Sequence, residues 1–140
     1  MERMTESEMA ASVCSVAQKI GYEVQIEPAT RRWRIPSRNY LVPISFGGAA
    51  RPDLVVKHKD RSAVVELKNR GVSFGGVEQV IQHAEAFKAA GVLCMLDSVI
   101  QDVPASVAEY ANEENVVICP ISEICEVLRR LLGQPDTQTE

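Results

Sequence analysis

Several things are missing from this chain of 140 residues, and each absence excludes something. No apolar run approaches the roughly 18 residues of a membrane-spanning helix, which excludes a helical span. The opening MERMTESEMA is acidic and has no apolar h-region, so no secretory signal is expected and a soluble cytoplasmic protein is. The four cysteines, Cys14, Cys94, Cys119 and Cys125, never stand in a CxxC spacing. The two histidines, His58 and His83, form no HxxxH pair, which argues against a zinc site. The cysteines read instead as reduced, buried thiols. There is no internal repeat, no low-complexity segment and no zinc-finger or helix-turn-helix signature for reading bases.

What remains is enough for one domain. Apolar residues make up 46% of the chain, sufficient for a core and too many for a disordered segment. The expected domain is 1–132, with 133–140 a polar tail. Charge is unevenly spread. Residues 31–70 hold ten Lys/Arg against three acids, whereas the rest hold five against sixteen, although the whole chain is only at −4. An acidic body therefore carries one basic segment, the electrostatic footprint expected of a polyanion-binding surface.

Periodicity gives the order of elements. Residues 5–20 predict a helix with Met9, Val13, Val16 and Ile20 on one face, a Thr5/Glu8 capping box and Gly21 as its stop. Residues 22–27 alternate as a strand. Residues 29–50, with two prolines and a Gly-Gly pair, predict a loop or irregular hairpin containing a short strand at 40–46. The clearest strands are 53–58 and 62–68. A helix over 76–90 follows, with Val77, Val80, Ile81, Ala84 and Phe87 as its apolar stripe and Gly91 as its stop. The remainder reads as a buried strand at 92–96, a helix at 104–112, a strand at 115–120 and a helix at 121–132. The expected fold is α/β, a mixed central sheet flanked by helices in the order α-β-β-β-α-β-α-β-α.

The strand pair carries the chemistry. With Lys59-Asp60 as a two-residue turn, Val55 faces Val64, Val56 faces Ala63, and the ladder extrapolates to Asp53 opposite Glu66. Opposed carboxylates on neighbouring strands repel unless a proton or a cation neutralises them. Hard carboxylate oxygens suit Mg²⁺, with Mn²⁺ as substitute. Lys68 shares a strand face with Glu66 while Leu67 points away. Two carboxylates, a divalent cation and a lysine form a set suited to phosphodiester hydrolysis, the lysine orienting a water or offsetting transition-state charge. Around this set, Arg31, Arg32, Arg34, Arg38, Arg51 and Arg70 are expected to bind phosphates, and Trp33 to stack on an unpaired base. Backbone contacts of this kind favour structure over sequence.

Pro52-Asp53, a gap of twelve, then Glu66-Leu67-Lys68 resembles the motif of the PD-(D/E)xK nucleases of restriction-endonuclease-like fold, and the layout of residues 5–132 resembles theirs. The resemblance implies a Mg²⁺-dependent nuclease in which Asp53, Glu66 and the Leu67 carbonyl hold the metal, Lys68 positions the nucleophilic water and cleavage leaves a 5′-phosphate. Many such proteins carry Q-x-x-x-Y on the following helix. Gln79 and His83 occupy those positions here, with His replacing Tyr, on a face apart from the apolar stripe; His83 could donate a proton to the leaving oxygen. Some members use a glutamate of the first helix as an extra ligand, which implies Glu8, with Glu6 as the weaker candidate. DNA is expected before RNA, with a homodimer supplying two sites, as in junction resolvases. The rival readings are a catalytically silent module that docks nucleic acid or a partner, such as a helicase, through the acidic helices at 104–114 and 121–126, and an RNA-directed defence nuclease.

Overall fold

The computed structural model describes residues 4–26 and 52–135. Helix α1 (Glu6–Ile20) starts where Thr5 closes both halves of a capping box. Its Oγ1 accepts from the Glu8 N–H at 3.0 Å, and its own N–H donates to the Glu8 carboxylate at 2.8 Å. It ends at Gly21, whose φ of 119° lies in the left-handed region open to glycine. The buried seam of α1 is Met9, Val13, Cys14 and Ala17, rotated slightly from the expected one; Val16 and Ile20 are half-buried at its edge.

Strands β1 (Glu23–Ile26), β2 (Leu54–His58), β3 (Arg61–Lys68), β4 (Ala90–Met95) and β5 (Val116–Pro120) form one sheet in the order β1-β2-β3-β4-β5. The first three are antiparallel and the last two join in parallel, so β3 is central. The β2–β3 register follows the expectation, from His58 opposite Arg61 to Leu54 opposite Val65. Lys59 enters the turn with a left-handed φ of 58°.

Helix α2 (Phe74–Phe87) is capped by Ser73 and stops at Lys88, at φ 53°, rather than at Gly91. Gly91 lies within β4 under α2, where an added Cβ would sit 2.8 Å from Val80 Cγ1. Its role is close approach of helix to sheet. The short helix α3 (Asp97–Ile100), which no periodicity announced, follows β4. Helix α4 (Ala105–Glu113) begins after Pro104. A single 3₁₀ turn, Ile121–Glu123, leads from β5 into α5 (Ile124–Leu132), so the last predicted helix begins as a tighter turn. The elements therefore follow the expected order with α3 added, an α/β fold with helices on a five-stranded mixed sheet.

Alternation along β3 sorts the core. Val64, Glu66 and Lys68 lie on the face covered by α2, the face on which Gly91 meets Val80. Ala63, Val65 and Leu67 lie on the other. Ala63 through Leu67 are all buried. Tyr22 Oη, at the entry to β1, donates to the Gly133 carbonyl just past α5 at 2.7 Å, tying the two elements together. Cys14, Cys94 and Cys119 are buried and Cys125 is half-buried; all four are free thiols. Cys94 faces Cys119 across β4 and β5, and that partner together with burial pushes the Cys94 thiol up, so it stays neutral. Among the described residues no helix is long and apolar enough to cross a membrane.

Candidate metal and phosphodiester site

The open end of the β2–β3 hairpin gathers the polar groups. Asp53 lies in a bend one residue before β2, and its Oδ2 accepts from the Leu67 N–H at 2.8 Å. That bond continues the hairpin one step past the last ladder pair with a side chain, and it places the carboxylate of Asp53 beside residues 66–68. Pro52 precedes it, buried, at a point where no ladder donor is needed.

The surroundings of Asp53 hold its carboxyl at about 6. Burial is the largest cause, and the neighbouring Glu66 and Glu6 carboxylates raise it further; the Leu67 N–H and the Lys68 ammonium pull the other way without matching them.

Glu66 is 6% exposed on the central strand, and His83 is 2% exposed on α2. The two touch directly, His83 Nδ1 to Glu66 Oε2. This corrects the expected placement of His83 on a polar face. Val77, Val80 and His83 form the buried face of α2, with Ala84 and Phe87 beside it half-buried, whereas Gln79 is exposed. Gln79 and His83 are one turn apart, yet only His83 reaches the sheet. Its polarity is satisfied by a partner that no helical periodicity could reveal.

The first helix also differs from expectation. Glu8 is committed to the capping box. Glu6, one position into the helix, is the acid that reaches the hairpin: its Oε2 accepts from the Asn69 N–H at 3.4 Å, and its charge raises the Asp53 carboxyl. Asn69 Nδ2 in turn donates to the Met4 carbonyl at 3.0 Å, fastening the start of α1 to the end of β3. The Thr5-x-x-Glu8 spacing marks Glu8 for the cap, but nothing in the sequence marks Glu6 for the hairpin.

Lys68 is half-buried at the end of β3, and Arg70 is exposed two residues on. Arg31, Arg32, Trp33, Arg34, Arg38 and Arg51, and the predicted strand at 40–46, lie outside the described residues. The other basic residues of the segment, Lys57, Lys59 and Arg61, stand towards the turn end of the hairpin, roughly 13–20 Å from Asp53 at strand rise.

The donor chemistry fits a hard divalent cation in one particular way. Among the described residues no three His, Cys, Asp or Glu side chains group closely enough to hold a metal by themselves. Mg²⁺ does not require such a cage; it binds through one or two carboxylates and fills its other positions with water and phosphate oxygens. Asp53 and Glu66 are the two carboxylates that would serve, and part of the rise in the Asp53 carboxyl comes from the neighbouring Glu66 and Glu6, after burial as the largest cause. No protein-family model matches the chain, and no curated protein matches it.

Proposed function

We propose that this chain is a metal-dependent nuclease of the PD-(D/E)xK kind, with restriction-endonuclease-like fold, hydrolysing phosphodiester bonds of DNA with a preference for structure over sequence. One observation carries the reading. Asp53 and Glu66 come close enough at the open end of the hairpin, near Lys68, to act on each other's charge, in surroundings where burial first and the neighbouring carboxylates second raise the Asp53 carboxyl to about 6. The element order and the mixed sheet with β3 at its centre support the same reading.

In this mechanism Asp53 and Glu66, with the Leu67 carbonyl, would hold Mg²⁺ or Mn²⁺. Such an ion would supply Lewis-acid chemistry at the phosphate and to a water. The Asp53 carboxylate is aimed by the Leu67 N–H, which fixes its orientation before any ligand arrives. Lys68 orients the attacking water and offsets charge building on the phosphate. Glu6, rather than Glu8, is the acid of α1 whose charge reaches Asp53, and it acts at a distance and not as a third ligand. Arg70 and the arginines of 31–51 take the nucleic-acid backbone. A homodimer would present two such sites to two strands.

The rival, a silent module of the same fold that docks a nucleic acid or protein, draws on the fact that Glu66 already has a partner in His83. One experiment separates the two. Single-stranded, duplex, flapped and four-way-junction DNA, and RNA, are incubated with the protein in Mg²⁺, Mn²⁺ or EDTA. Cleavage that requires metal and disappears in Glu66→Ala is the expected result. Binding without cleavage on every substrate would sink the nuclease reading and leave the docking module.

A further inference from the structure

The contact between His83 and Glu66 is costly to build and is not explained by stability. His83 takes a place on the buried face of α2 beside Val80, and Glu66 takes one on the central strand beside Leu93 of β4. An apolar pair of similar volume at two such positions is commonly as stable or more stable, because two polar groups must leave water to meet. Losing one partner, by contrast, strands the other in a place where it cannot be solvated.

The geometry also decides what the imidazole can do. At 2% exposure the ring lies behind Glu66, under α2, and is closed to a leaving group in solvent. An ionised Glu66 only accepts hydrogen bonds, so for that state Nδ1 carries the hydrogen and the ring donates to Oε2. Oε1 takes no part in this bond. One oxygen is fixed by α2, and the carboxylate plane is fixed with it.

Resting on the nuclease reading, we infer that His83 is a positioning residue for the metal: it locks the Glu66 carboxylate from behind so that Oε1 faces the cation with Asp53 at the open end of the hairpin. Outer hydrogen-bond partners of this type set the orientation and basicity of a ligand, and their loss typically costs about 10–100-fold in metal affinity or activity. The role belongs to binding rather than to proton transfer. Loss of His83 therefore raises the metal concentration needed for half-maximal cleavage, while the rate at saturating metal returns towards the parental one.

The test measures Mn²⁺ binding to the full chain by electron paramagnetic resonance, without substrate, in the parent, Glu66→Gln, His83→Leu and His83→Asn. Circular dichroism melts are recorded on the same samples. Asparagine can place its amide near the position of Nδ1; leucine fills the space without a donor. The expected result is a 10–100-fold weaker Mn²⁺ affinity in His83→Leu and recovery to within a few-fold in His83→Asn. If His83→Leu fails to fold, His83→Gln replaces it, its amide lying one bond further out, and affinity should again fall. A folded His83→Leu or His83→Gln that binds Mn²⁺ as the parent does overturns the inference and leaves His83 a packing residue, with the nuclease reading intact. A parent that binds no Mn²⁺ overturns both.

Discussion

At the turn end of the β2–β3 hairpin, Lys59, Asp60 and Arg61 stand in water; at its open end Glu66 is buried, and Asp53 and Lys68 are half-buried. The same strands and the same kinds of side chain meet two different dielectrics. In water, opposite and like charges a few ångströms apart interact by about 1 kcal/mol or less. At the open end burial dominates, and the Asp53 carboxyl is pushed up to about 6. A charged residue is informative there because its position is expensive. The net basic charge that first marked this segment is therefore a poor guide to where its chemistry lies: Lys57, Lys59 and Arg61 add to the count and stand at the wrong end.

The contrast can be broken most severely at Lys68. Lys68→Ala should lower the cleavage rate by about 100-fold or more, on the scale of losing one charge-stabilising donor. Lys59→Ala, at the far end, should leave it within two-fold, as single-turnover assays at saturating metal would show. Equal losses in both would move the reactive centre away from the open end.

The next effect is on stability. Leu67 is 1% exposed and packs on the opposite side of β3 from Glu66, so Leu67→Ala should cost about 2–5 kcal/mol in urea unfolding. A loss below about 1 kcal/mol would mean that the far face of β3 is not a packed core.

A smaller effect sharpens the electrostatic side. Asp53 binds its proton more tightly in the folded chain than in the unfolded one, whose value is near 3.8. Its favourable contribution is full below that value and is lost as pH rises through about 6. Asp53→Asn removes this loss. With solvent screening allowed for at a half-exposed group, the metal-free protein should gain on the order of 1 kcal/mol at about pH 8 and nothing near pH 3. Mg²⁺ should stabilise the parent at the higher pH and not the variant. A variant less stable than the parent at both pH values would contradict the charge argument.

The smallest effect is at the turn. Lys59 holds a φ of 58°, which glycine adopts at little cost, so Lys59→Gly should raise stability by about 0.5 kcal/mol and leave metal binding unchanged.

Much of this arrangement could be read from the chain, for a physical reason. A two-residue turn between two apolar runs leaves one register that buries both, so the pairing of Val55 with Val64 follows, and with it the placing of Asp53 next to residues 66–68. Other features depend on partners distant in sequence. Periodicity sets His83 on a face apart from the apolar stripe because a helix pattern records polarity and not what satisfies it; the partner lies on β3, seventeen positions back. Glu8 follows from its spacing to Thr5, whereas Glu6 finds Asn69 sixty-three positions away, which only tertiary structure supplies. Gly91 resembled a helix stop because glycine serves both chain reversal and close approach. Helix α3 spans four residues, too few for periodicity to show.

Gly91 has one more consequence. With no side chain beneath Val80, α2 rests directly on the sheet, and the height of that contact sets how far every residue on the same face of the helix can reach down. Val80 and His83 belong to that face. Position 91 thus works as a shim of zero thickness. A methyl group inserted there would tip the helix outward and draw the imidazole back from Glu66 without altering any polar atom. Such a substitution would carry no charge and touch no carboxylate, and it would act as a change of stand-off.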